Sequence, residues 1–94
     1  MAATNEKDIT PNKEKGQVPK YTMGVIVRLT GVEAGRIRRF EEAGLLTPSR
    51  TESGQRLFTD SEMELIKEIA ALEDKGINLE GVKAILAMRR GERK

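Results

Sequence analysis

The apolar residues that follow Thr22 recur at helical spacing. Met23, Ile26 and Val27 follow the i, i+3, i+4 pattern of one buried helix face, and Thr22 is a suitable N-cap residue. The β-branched residues of this segment also fit a strand. Because a Thr-Gly turn and a second helical pattern come next, the first helix of a helix-turn-helix is the better interpretation.

A second helix is predicted between the turn at Gly31 and Gly44, a residue type that often follows a helix end with positive φ. Ile37 and Phe40 lie three apart on its apolar stripe, so we predict that Phe40 belongs to the core. Its other side carries the outward arginines Arg36, Arg38 and Arg39. This pattern is typical of a recognition helix, and an ordinary basic surface helix explains it equally well.

Pro48 ends the helical pattern because proline cannot continue it, and the residues that follow predict a β-hairpin. Residues 51–54 indicate a turn and residues 55–58 a short return strand. The turn is flanked by Arg50, Gln55 and Arg56. A ribbon with cationic flanks is typical of a wing that contacts phosphates or the minor groove, although this segment alone fits a surface hairpin better.

Two more helices are predicted in the remainder of the chain. Thr59 and Glu62 have the spacing of a capping box, and the helix they begin ends near Gly76. Its inward residues are Met63, Ile66, Ile69, Ala70 and Leu72. Asn78 is the predicted N-cap of the last helix. Its buried stripe is Leu79, Val82, Ile85 and Leu86. Beyond Met88 the chain lacks an apolar partner and is expected to fray.

Composition limits the functions open to the chain. Its 94 residues, 37% hydrophobic and 34% charged, suffice for one small domain that often relies on a second copy. It has no Cys and no His, so we expect no disulfide, no thiol or zinc site, no cofactor and no enzymatic activity. With neither a signal peptide nor a membrane span in the sequence, a cytoplasmic, nucleoid-associated location is expected.

The net charge of +2 is unevenly distributed along the chain. Residues 21–59 carry six arginines against four acids, whereas residues 60–88 carry three lysines against seven acids. The last six residues are basic again. This polarity would orient the molecule on a polyanion.

From Tyr21 to about Leu86, the chain resembles the DNA-binding domain of MerR-family transcription regulators. The matching segments are Leu29-Thr30-Gly31-Val32, Ile37-Arg38-Arg39-Phe40-Glu41, Gly44-Leu45-Leu46-x-Pro48-x-Arg50, Gly54-x-Arg56-x-Phe58 and Gly76-Ile77-Asn78-Leu79. Within the family it is most similar to the short nitrogen-control repressors of the GlnR and TnrA type. The segment 76–79 is also similar to heat-shock repressors of the HspR type.

The resemblance implies a mainly α fold, a winged helix-turn-helix with two further helices and a small β-wing. We expect a flexible N-terminal arm over 1–20, the DNA-binding domain over 21–88 and a basic tail over 89–94. The expected DNA-binding residues are Ala34, Gly35, Arg36, Arg38, Arg39, Arg50, Gln55 and Arg56. The first three begin the recognition helix, where base edges are within reach, and the others would mostly hold phosphates.

Two positions depart from the family pattern. Arg39 stands where the family usually has tyrosine, which replaces a hydroxyl contact to phosphate by a charged one. Glu33 stands where a small hydroxyl residue usually caps the recognition helix, and it is a poorer cap.

The expected function is that of a sequence-specific regulator of transcription. It would bind double-stranded DNA as a homodimer on an inverted repeat, as a repressor in nitrogen or stress control. If the nitrogen-repressor resemblance extends that far, glutamine synthetase is the expected regulatory partner. One alternative is an excisionase-like or architectural DNA-binding factor. Another is a protein-interaction module that docks through the acidic helix 60–75.

Overall fold

The computed structural model describes residues 16–92 and, within them, the side chains of residues 16–90. The helices are α1 (Met23–Thr30), α2 (Ala34–Glu42), α3 (Asp60–Asp74) and α4 (Leu79–Glu92), and the strands are β1 (Ser49–Arg50) and β2 (Arg56–Leu57). The predicted mainly helical fold with a small β-wing is confirmed. None of the helices in this part of the chain is both long and apolar enough to cross a bilayer.

The turn between α1 and α2 is built by Thr30 and Gly31. The hydroxyl of Thr30 donates to the carbonyl of Ile26 at 2.7 Å and accepts from the backbone N–H of Val32 at 3.1 Å. Gly31 ends α1 with φ of 74°, a left-handed conformation that favours glycine. The turn of the predicted helix-turn-helix is therefore held by hydrogen bonds among residues 26–32.

The predicted N-caps of α1, α3 and α4 are confirmed. The side chain of Thr22 caps α1. At the start of α3, the Thr59 hydroxyl accepts from the Glu62 N–H and the Glu62 carboxylate accepts from the Thr59 N–H, both at 3.0 Å. Asn78 Oδ1 accepts from the Gly81 N–H at 2.9 Å. Each cap satisfies a backbone donor that the helix itself leaves unpaired.

One hydrophobic core joins all four helices and Phe58, the residue that follows β2. Its buried members are Ile26, Val32, Ile37, Phe40, Leu46, Phe58, Ile66, Ile69, Ala70, Val82 and Leu86. The predicted burial of Phe40 is confirmed, since its side chain is 0% exposed. Phe58 is equally buried and, through an antiparallel bridge with Tyr21, ties the wing to the segment before α1. The core thereby holds α2 beside the wing.

The expected N-terminal arm 1–20 falls mostly outside the described residues, which begin at 16. Residues 16–20 run along the start of α3. There the backbone N–H of Ser61 donates to the carbonyl of Gly16 at 3.1 Å. This stretch is therefore in contact with the helical domain.

The carboxylate of Asp60 contacts two residues of the segment that precedes α1. The hydroxyl of Tyr21 donates to its carboxylate at 2.5 Å, and the ammonium of Lys20 lies 3.1 Å from the other oxygen. The hydrogen bond from Tyr21, followed by that from Lys20, holds the pKa of Asp60 below its ordinary value. The same contact raises the pKa of Tyr21.

The last helix is longer than predicted. It continues past Met88 to Glu92, so the expected fraying beyond Met88 is wrong for residues 89–92. Arg89 forms an ion pair with Glu68 of α3, which gives the end of α4 a charged partner in place of an apolar one. Residues 93 and 94 of the predicted basic tail lie outside the described part of the chain.

Candidate nucleic-acid interface

One face of α2 is exposed and carries two arginines. The exposed residues, called here the outer face, are Gly35, Arg38, Arg39 and Glu42. The opposite side buries Ile37 and Phe40 in the core. Since positions three and four apart share a helix face, the buried pair fixes which arginines point to solvent.

The start of α2 is open to solvent. Glu33 is the N-cap residue, and its side chain makes no capping hydrogen bond, as expected for a poor cap. Ala34 is half-buried, and Gly35 is exposed with no atom within 4 Å of the position that a Cβ would take. A polar partner can therefore approach the backbone at this end of the helix.

Arg36 does not point outward as expected. Its Nε and Nη2 donate to one carboxylate oxygen of Glu73 at 3.1 and 3.0 Å, and Nη2 also donates to Asp74 at 3.1 Å and to the carbonyl of Ala70 at 3.3 Å. The hydrogen bond to Glu73 is the main cause that raises the pKa of Arg36. Its guanidinium thus bridges α2 to α3, and the prediction that it projects from the helix is wrong.

Arg38 and Arg39 remain available on the outer face. Arg39 is 55% exposed and has one long ion pair, 3.9 Å from Nη2 to the second oxygen of Glu73. Arg38 is exposed and has no ion pair with any residue in the described range 16–92. Two consecutive arginines of α2 are therefore exposed to solvent.

The wing, defined here as residues 49–57, is a two-stranded antiparallel hairpin. Arg50 of β1 lies opposite Arg56 of β2 in the register. At the turn, Gly54 has φ of 91°, and the exposed Gln55 donates its backbone N–H to the Thr51 hydroxyl at 3.0 Å. The three predicted polar residues of this segment therefore surround one short hairpin.

Glu41 connects the wing to α2. Its Oε1 accepts from Arg56 Nε at 2.7 Å, and its Oε2 accepts from Arg50 Nη2 at 3.0 Å. Partial burial by itself would raise the pKa of this carboxyl, but the hydrogen bonds and charges of Arg56 and Arg50 outweigh it and lower the pKa. The carboxylate is therefore held ionised between two cations.

Nothing in the local sequence pattern marks Glu41 or Glu73 as a functional residue. Glu41 is nine and fifteen positions from its two arginine partners, and Glu73 is 37 positions from Arg36. Helical periodicity reports only neighbours three or four residues apart, so it has no signal for these pairs. Only the packing of α2 against α3 and the wing brings them together.

The sequence profile of the family described as MerR HTH family regulatory protein matches residues 21–89. The chain is similar to the HTH-type transcriptional regulator GlnR of Bacillus cereus, at 32% identity over 80 residues, which cover 85% of this chain and 62% of that relative. It is also similar to the putative heat shock protein HspR of Streptomyces coelicolor, at 32% identity over 71 residues, which cover 74% and 47%. The chain thus spans about half to three-fifths of these curated relatives.

Solved structures give a consistent result. HiNmlR, a MerR family regulator lacking the sensor domain and bound to promoter DNA, superposes with a TM-score of 0.68 at 27% identity. The match covers 73% of this chain and 53% of that one. A MerR-family regulator from Bacillus cereus superposes with a TM-score of 0.64 at 22% identity, which supports the fold alone.

Proposed function

The chain belongs to the MerR family of helix-turn-helix regulatory proteins, and on that premise we propose that it is a sequence-specific transcription regulator that binds double-stranded DNA. The observation that carries the proposal is the basic surface formed where the outer face of α2 adjoins the wing. Arg38 and Arg39 project from one side of it, and Arg50 and Arg56 lie on the other, joined to α2 through Glu41. Guanidinium groups in such an array suit the phosphates of a duplex.

The residues of this surface divide between base reading and phosphate contact. In the proposed complex α2 lies in the major groove, with Ala34 and Gly35 at its N-terminal end closest to base edges. The phosphates are contacted by Arg38, Arg39, Arg50, Gln55 and Arg56. Arg36 completes the proposed interface at the start of α2, and to reach a base its guanidinium has to leave Glu73 and Asp74.

The proposed operator is an inverted repeat occupied by two copies of the chain. One recognition helix and one wing per copy offer few base contacts, and a two-fold site doubles them. The resemblance to nitrogen-control and heat-shock repressors supports a repressor in nitrogen or stress control. It also supports glutamine synthetase as a regulatory partner, should the nitrogen assignment hold.

Selection of bound duplexes from a random pool tests this function. We expect a two-fold-symmetric consensus, whose affinity falls with rising salt at a log–log slope of about −4 per protomer if four or five phosphates are neutralised. A slope near zero, or the absence of any enriched sequence, would contradict the proposal. Genomic sites at promoters support transcription control, whereas recombination attachment sites would favour the excisionase-like alternative.

Replacement of Arg39 by alanine tests the interface itself. All duplexes should bind more weakly by a similar factor, and the salt slope should become shallower by about one unit, because one phosphate contact is lost. Arg90→Ala is the matched control, since it removes an exposed arginine of α4. Equal losses in the two variants would show that the effect reflects total charge and not this surface.

The alternative of a protein-interaction module that docks through α3 has less support. Every acidic side chain of α3 is engaged within the molecule, in an ion pair or in a hydrogen bond. These acids are Asp60, Glu62, Glu64, Glu68, Glu73 and Asp74. A partner that reads this acidic face would compete with those contacts, although Glu64 and Asp74 stay 67% and 70% exposed.

A further inference from the structure

One carboxylate of α2 holds both strands of the wing. Arg50 and Arg56 lie directly opposite each other in the hairpin, and like charges in that relation repel. The two oxygens of Glu41 divide between them, with Oε2 3.0 Å from Arg50 Nη2 and Oε1 2.7 Å from Arg56 Nε. Glu41 therefore relieves the repulsion and fixes each strand to the end of the recognition helix.

The contact extends from α2 to the tip of the wing. The second terminal nitrogen of Arg50, Nη1, donates to the carbonyl of Gly54 at 3.0 Å. Gly54 is the turn residue with φ of 91°. A continuous series of hydrogen bonds thus links the recognition helix, Glu41, Arg50 and the hairpin turn.

Burial makes this connection firmer than an ordinary surface ion pair. The side chains of Glu41 and Arg56 are each only 23% exposed, so solvent and salt screen their attraction weakly. A guanidinium has five N–H donors, and Arg56 uses only Nε for Glu41 within the described residues. Its terminal nitrogens remain able to donate to a phosphate while the contact to Glu41 persists.

We propose that Glu41 is a positioning residue that sets the wing relative to the recognition helix and thereby determines sequence specificity. This inference rests on the proposed function. Glu41 itself brings a negative charge close to the phosphates, which opposes DNA binding. The geometry that Glu41 imposes, in contrast, requires α2 and the wing to contact one duplex at the same time. Only the specific site allows both elements to make their full set of contacts in that arrangement.

Glu41→Gln separates these two effects, and Glu42→Gln is its matched control. Both variants remove one carboxylate from the last turn of α2, but Glu42 is exposed and has no ion pair within residues 16–92. Non-specific affinity should rise slightly in both. The ratio of specific to non-specific affinity should fall about tenfold in Glu41→Gln alone, the scale of one lost well-placed contact.

Glu41→Asp distinguishes position from charge. Aspartate keeps the charge, but its side chain is one methylene shorter, so its carboxylate is drawn back from both arginines and the two contacts lengthen. We expect the specificity ratio to fall in this variant as well, with non-specific affinity unchanged. Because Glu41→Asp has the same net charge as the wild type, its specificity ratio still tests the proposal if Glu41→Gln fails to fold.

The Arg56 Nε–H resonance in NMR spectra measures the contact directly. It should be protected from solvent exchange in the wild type and in Glu42→Gln, and lose protection in Glu41→Ala, which has no side-chain acceptor. A protected Nε–H that persists in Glu41→Ala, or a specificity ratio in Glu41→Gln equal to that of Glu42→Gln, overturns the inference. If the wild type itself prefers no duplex, the proposed function fails first, and the inference fails with it.

Discussion

Phe40 shows how a single residue divides α2 into an inner and an outer face. Its ring is 0% exposed, and the Arg36 guanidinium carbon lies 6.0 Å from the ring centroid. Phe40→Ala should lower the free energy of unfolding by about 3–5 kcal/mol, because it leaves a cavity in the core. Chemical denaturation measures this. Leu29→Ala, at a side chain that is 49% exposed, is the control and should change stability by less than about 0.5 kcal/mol.

Unchanged stability of Phe40→Ala together with lost DNA binding would contradict this assignment. It would mean that the ring stacks on a nucleic acid and that α2 presents the opposite face. Loss of binding in proportion to the unfolded fraction is the expected result.

Asp60 makes stability depend on pH at the acidic end. The Tyr21 hydrogen bond and the Lys20 ammonium lower its pKa from the ordinary 3.8, so the folded state favours the carboxylate. This contribution is present in full above pH 3.8 and disappears as the pH falls through the lower pKa of the folded state. Thermal unfolding at successive pH values should show a smaller acidic loss of stability in Asp60→Asn than in the wild type.

Tyr21→Phe provides an independent check of the same contact. This variant removes the hydroxyl donor and keeps the ring. The stability that it loses as the pH falls through the acidic range should therefore also be smaller than in the wild type. Identical pH dependence in the wild type and both variants would show that the hydrogen bond does not form in solution.

At the scale of whole elements, Arg36 joins the recognition helix to α3. Its side chain is 26% exposed and that of Glu73 only 18%, so loss of either partner removes the main contact of a half-buried charge and leaves Arg36 with Asp74, or Glu73 with the longer pair to Arg39. Arg36→Ala and Glu73→Gln should each reduce the free energy of unfolding by about 1–3 kcal/mol. In a double-mutant cycle the two losses should not add, because they remove one shared interaction.

DNA binding by Arg36→Ala tells a positioning role from a reading role. If Arg36 only holds α2 on α3, affinity falls for all duplexes and the selected consensus stays the same. A changed consensus with unchanged stability would show instead that Arg36 leaves Glu73 and reaches a base.

For the molecule as a whole, we predict a monomer or weak dimer in free solution that becomes dimeric on DNA. The large exposed apolar side chains in the described range are few and scattered over three segments: Val18, Val25, Leu29 and Met88. A stable protein interface uses about 20–30 residues a side. A two-fold operator, with half-sites about one helical turn or a multiple apart, would supply the missing contacts.

Sedimentation with and without a palindromic duplex measures this assembly. In the absence of DNA we expect one protomer, or a dimer that dissociates on dilution, and on the full palindrome two protomers, with a half-site duplex binding one. A tight dimer without DNA, or a one-to-one complex on the full palindrome, would refute the prediction.

Local sequence pattern was sufficient to predict where the helices begin, their caps and the burial of Phe40, although it placed the end of α4 too early. A capping box such as Thr59 and Glu62, or a turn such as that at Gly31, depends on atoms within a few residues of each other. Burial of Phe40 follows from its spacing to Ile37 on one helix. These features depend only on residues that are close together in the chain, so the residue pattern was sufficient to predict them.

The contacts of each arginine follow from the packing of distant segments and were not predictable from local pattern. Arg36 lies four positions before Phe40 on the same side of α2, but only the packing against α3 brings Glu73 within reach of its guanidinium, whereas Arg38 is exposed. Arg56 faces Glu41 only because the core packs the wing beside α2. Electrostatic attraction acts through space, so a charge finds its partner at whatever sequence distance the packing brings within about 4 Å.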